Sequence, residues 1–87
     1  QHAPPGMVPA EVEQALADIE GVTEVHDLHV WCLTSGMNVA TAHLVAAPGQ
    51  ADDVLAAARE VLLRRFAVEH ATLQVESATA GCRTTDW

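Results

Sequence analysis

The run ADDVLAAAREVLLRRF, residues 51–66, constrains the fold more than any other stretch of the chain. Val54, Leu55, Ala58, Val61 and Leu62 recur at helical spacing and form one apolar stripe. Asp52 and Asp53 stand in its first turn and Arg64 and Arg65 in its last, the distribution that a helix dipole favours. A second helix is predicted from Pro9 to Glu20, with Val12, Ala15, Leu16 and Ile19 on its apolar side, Pro9 in the first turn and Gly21 as the C-terminal cap. Helices of this kind must bury their stripes against another layer, and the remaining segments supply a sheet.

From Val22 to about Leu33 the chain is rich in valine and leucine, and TSGMN, Thr34 to Asn38, reads as a turn in which Gly36 takes positive φ. VATAHLVA, Val39 to Ala46, follows as a second strand, so the two form a hairpin. HATLQVES, His70 to Ser77, alternates cleanly and is the third strand. The element order is α-β-β-α-β, a ferredoxin-like βαββαβ unit without its first strand. The expectation is therefore an α+β domain with a three-stranded sheet and two helices on one face. The uncovered face is where function should be sought.

One domain is expected over residues 9–77, preceded by a proline-rich linker at 1–8 and followed by a polar tail, ATAGCRTTDW, at 78–87 that we expect to be unstructured. Because 87 residues enclose only a small core, help from a metal or a partner chain is plausible. The formal charge of -8, from 12 acidic and 4 basic residues, argues against nucleic acid and for cations as partners. Cys32 and Cys82 make no disulfide framework; one pair could form, but the expectation is a buried thiol at Cys32 and an exposed one at Cys82 in a reducing compartment. No apolar run approaches the roughly 18 residues of a membrane span. The chain starts at Gln1 rather than methionine, which leads us to expect a piece of a longer protein.

Alternation assigns the faces of the strands. In the second, Ala40, Ala42 and Leu44 face the helices, and Val39, Thr41, His43 and Val45 the open side. In the third, Ala71, Leu73 and Val75 face the helices, so His70, Thr72, Gln74 and Glu76 are open. The first strand breaks the rule: in VHDLHVW, strict alternation sends His26 and His29 to opposite faces, and Val22 and Val25 cannot join Leu28 and Val30 unless the register slips. A bulge around His26–Asp27 repairs this. Leu28, Val30 and Cys32 then face the core, His29, Trp31 and Leu33 face out, and His26 leans over the open face. Histidine with carboxylate suits zinc or a similar divalent ion, although no compact CxxC or HExxH motif is present. No general base or oxyanion arrangement can be placed, so no catalytic residue and no enzyme activity are expected.

GVTEVHDLHVWCLTSG, TAHLV and LLRRFAVEHATLQVE, in that order and spacing, resemble the cytoplasmic C-terminal domain of cation diffusion facilitator transporters, especially the cobalt-zinc-cadmium resistance branch. The resemblance spans about Pro9 to Ser77. It implies a metallochaperone-like αββαβ fold, a V-shaped homodimer, and binding of zinc, cobalt, cadmium or a related ion. It also implies regulation of a proton-coupled metal antiporter in the inner (plasma) membrane, whose transmembrane part lies outside this chain.

By this resemblance His26, His43 and Glu76 match recurrent metal ligands, the glutamate being able to bridge two ions. Asp52 and Gln74 stand where some members place histidines of a second site, and an amide oxygen is a poorer zinc ligand than imidazole. Other members use the histidine matching His70 together with tail cysteines, of which only Cys82 is available here. Three ligands leave a fourth position for water or another group. His29 is expected to be a scaffold residue beside Trp31. The expected role is a metal sensor whose dimer tightens on loading; the alternative is a structural dimerisation module whose histidines are incidental.

Overall fold

The computed structural model describes residues 8–77; the expected tail with Cys82, and all but Val8 of the expected linker, lie outside them. Helix α1 spans Pro9–Ala17 and opens on a proline, whose missing N–H costs a first-turn position nothing. Glu11 and Val12 donate to the Val8 carbonyl at 2.9 and 3.1 Å and close the first turn. The helix stops at Asp18, short of the expected Glu20. Ile19 donates to the Leu16 carbonyl at 3.2 Å and packs against the core, and the Ile19 carbonyl accepts from Val22 at 3.1 Å. Gly21, at φ 98, therefore completes the turn into the sheet instead of capping the helix.

Strand β1 (Val22–Cys32) pairs antiparallel with β2 (Asn38–Ala46). The intervening turn is closed by Gly36 donating to Leu33 at 2.8 Å, with Gly36 at φ 89. Helix α2 (Ala51–Phe66) has the bounds its sequence pattern predicts and leads back to β3 (Val68–Ser77), parallel to β2. The strand order is β1-β2-β3, so β2 is central. A parallel pair requires such a crossover, and α2 provides it. At the end of α2, Asn38 Nδ2 donates to the Phe66 carbonyl at 3.3 Å, satisfying one terminal acceptor and tying the helix to the start of β2.

The core lies between helices and sheet. Val12 and Leu16 of α1 and Val54, Ala58 and Leu62 of α2 meet Val30, Ala40, Ala42, Leu44, Ala46 and Val68. Helix α1 lies over β1 and α2 mainly over β3, the alternating alanines of β2 are buried between them, and among the described residues no polar side chain is buried. Cys32 departs from expectation: it is exposed, because it pairs with Asn38 at the end of the hairpin, beyond the cover of the helices.

Two register shifts bend β1. One lies between Val22 and Glu24, where the Thr23 hydroxyl donates to the Val45 carbonyl at 3.1 Å, and the other between His26 and His29. Asp27, at φ 54, occupies the second. Aspartate tolerates the left-handed region better than most residues, which suits it to this bulge.

Candidate metal centre

The pairing register turns the open face into a grid. Trp31, Val39 and His70 form one row across the three strands, and His29, Thr41 and Thr72 the next. His26, His43 and Gln74 follow, and then Glu24, Val45 and Glu76. The bulge at Asp27 is what places both His26 and His29 on this face, since the extra residue converts a spacing of three into an effective two.

The contacts concentrate in the last two rows. His43 Nε2 is buried and lies 3.2 Å from Glu76 Oε1. His26 Nε2 lies 2.6 Å from Glu24 Oε1. An ionised carboxylate only accepts, so the ring N–H is the donor in that hydrogen bond. The two imidazoles meet edge to face, with ring centroids 5.9 Å apart. His26 and Glu24 are about half exposed, at 48% and 59%, whereas the His43 side chain is 23% exposed. The central histidine is thus held by the sheet and the outer pair faces water.

Of the residues singled out from sequence, His26, His43, Glu76 and Gln74 are brought onto neighbouring rows. His70 lies on the same face but two rows away, beside Val39. Asp52 is exposed in the first turn of α2, in the helix layer, and is not drawn into this group. Among the described residues, no three histidine, cysteine, aspartate or glutamate side chains already stand close enough to hold an ion. Imidazole and carboxylate nonetheless fit zinc and its neighbours chemically, and both glutamates already engage the ring nitrogens that would bind. Glu24 escaped the sequence reading. Its signal was available: two residues before His26 in a strand, it shares that residue's face.

Next to this group, Asp27, His29, Thr41, His43, Thr72 and Gln74 line a shallow depression of about 280 Å³. Ala42 completes its lining, and the hollow lies at the bulge with His43 on its wall.

Together these elements form a small αββαβ module that carries histidines and carboxylates on its open sheet face. The chain belongs to the family described as "Cation efflux protein, cytoplasmic domain", whose sequence pattern matches residues 4–78. It is 40% identical over 74 residues to a probable zinc transporter protein of Dictyostelium discoideum, covering 84% of this chain and 14% of that protein. It is 39% identical over 71 residues to the metal cation efflux system protein CzcD of Cupriavidus metallidurans, covering 79% of this chain and 22% of that one. The metal-bound C-terminal domain of the CzcD transporter superposes with a TM-score of 0.74 at 36% identity, covering 80% of this chain and 99% of that domain. The chain thus spans under a quarter of the length of these curated relatives.

Proposed function

We propose that this chain is the metal-sensing and dimerising part of a zinc or divalent-cation efflux transporter, acting from the cytoplasmic side of the inner membrane on a proton-coupled transmembrane part. The observation that carries the reading is the His43–Glu76 contact of 3.2 Å with His26 paired opposite His43. These residues would hold zinc, cobalt or cadmium; the ion supplies a positive charge and a coordination preference, with no catalysis. A formal charge of -8 per chain opposes close approach of two copies, and a bound dication offsets part of it. Loading therefore favours a tighter homodimer, and closure biases the attached transmembrane part toward export. Support comes from the relatives, which are named as zinc transporters and metal efflux proteins, and from the metal-bound CzcD domain.

The test is zinc titration calorimetry on the wild-type chain and on His43→Ala, with sedimentation velocity at each zinc ratio. Binding lost in the variant, with wild-type dimer formation driven by zinc, is the expected result. No binding, or binding indifferent to His43→Ala, would instead favour a structural dimerisation module. That second reading draws on the absence, among the described residues, of three gathered ligand side chains.

A further inference from the structure

We propose that Glu24 is a fourth protein ligand of this site, so that the ion is held by two histidine–glutamate pairs, His26 with Glu24 and His43 with Glu76. The inference rests on the metal-binding reading above and goes beyond it in filling the position that three ligands leave open.

The argument is geometric. With zinc–nitrogen and zinc–oxygen bonds of about 2.0–2.2 Å, each edge of a tetrahedral site between a ring nitrogen and a carboxylate oxygen measures about 3.3 Å. The His43 Nε2 to Glu76 Oε1 distance is 3.2 Å, close to such an edge before any ion is considered. The His26 Nε2 to Glu24 Oε1 distance is 2.6 Å, the same kind of edge drawn in by a hydrogen bond. Opening it to coordination length takes well under ~1 Å and a bare Nε2, with the ring N–H on Nδ1 instead. Two imidazoles on one tetrahedral ion put their ring centres roughly 5 Å apart by the same bond lengths. Here they are 5.9 Å apart, so a modest closure across the β1–β2 pair brings the two edges together.

The neighbours of Glu24 support the assignment. It faces Val45, and Val45 faces Glu76, so the two carboxylates flank an apolar side chain in one row while the two histidines pair in the next. Gln74, opposite His43 on the other side, offers only an amide oxygen. The register shift between Val22 and Glu24 is what turns Glu24 to the open face while Val22 packs against the core.

The experiment is cobalt(II) and zinc titration of the 87-residue chain and three variants: Glu24→Gln, Glu20→Gln and His43→Ala. Glu20→Gln removes the same charge from an exposed position off the sheet and reports the general electrostatic effect. A ligand should matter at least as much as an outer-shell partner, so Glu24→Gln should weaken binding by roughly 10–100-fold beyond Glu20→Gln. The visible cobalt(II) bands should shift in Glu24→Gln and stay in place in Glu20→Gln. Equal effects of the two glutamine variants, or tighter binding in Glu24→Gln, overturn the proposal, leaving water in the fourth position or Glu24 as a competitor for His26. If His43→Ala binds as the wild type does, the metal-binding reading itself has failed, an outcome distinct from failure of Glu24 alone.

Discussion

Gly21→Ala is the most informative single change to the scaffold, because the structure separates its two costs. Gly21 sits at φ 98, outside the ordinary range of an L-residue, and holding alanine there costs about 1–3 kcal/mol. Restricting the unfolded chain returns about 0.4–1 kcal/mol. The second cost is steric: an added Cβ would lie 3.0 Å from Gln50 Oε1 and 3.1 Å from Val54 Cγ2. The Gln50 amide can swing away, but Gln50 Cβ at 3.2 Å and Val54, fully buried in α2, cannot yield without moving the start of the helix, which adds about 1–3 kcal/mol of overpacking. The net loss is about 1–6 kcal/mol, centred on ~3, a large share of the ~5–15 kcal/mol typical of a domain. Gly36→Ala is the matched control, with φ 89 and nothing within 4 Å of the added atom, so it carries the backbone cost alone. Urea unfolding followed by far-UV circular dichroism gives both values, and at about 4–8 °C per kcal/mol a ~3 kcal/mol loss lowers the thermal midpoint of Gly21→Ala by roughly 12–24 °C. If Gly21→Ala is no less stable than Gly36→Ala, the close packing of this turn against α2 is refuted.

Two further changes test core and site. Leu44→Ala removes a fully buried side chain from the central strand and should cost about 3–5 kcal/mol in a urea titration; a loss below about 1 kcal/mol would mean that this layer is not tightly packed. Glu76→Ala should weaken zinc binding by roughly 10–100-fold in calorimetry and Gln74→Ala by far less, since only the carboxylate lies 3.2 Å from the His43 ring; equal losses would remove Glu76 from the ligand set.

Much of the fold was legible because its periodicities are clean. The stripe of α2 and the alternation of β2 and β3 identify each element and its core-facing side from residue spacing, although β3 begins at Val68 rather than His70, β2 at Asn38 rather than Val39, and of the α2 stripe only Val54, Ala58 and Leu62 are fully buried. The end of α1 was not legible, because Ile19 continues the helical apolar pattern while its backbone has already turned toward β1. Cys32 fits the core-facing parity of β1 yet is exposed, since parity says nothing about where the helices stop covering the sheet. The bulge near Asp27 could be deduced, as Leu28 and Val30 conflict with Val25 in any regular strand. The shift at Thr23 leaves the same kind of conflict, since Val22 and Val25 are three residues apart yet both pack inward, and Glu24 was missed although it stands two residues before His26 on the same face.

The energetics of β1 explain why the site falls where the strand is irregular. Regular alternation counted back from Val30 would turn His26 and Glu24 toward the helices and Val25 toward water. Burying an uncompensated charge or an unbonded polar group costs several kcal/mol, far more than the ~1 kcal/mol of an aspartate in the left-handed region. The bulged arrangement therefore wins on the demands of the core alone: Val22, Val25, Leu28 and Val30 all pack inward. The same shifts deliver Glu24, His26 and His29 to the open face as a by-product. The placement of these side chains is thus fixed by apolar packing alone. Under the proposed metal-binding role, an ion would need only to draw together side chains whose backbone positions the core has already set.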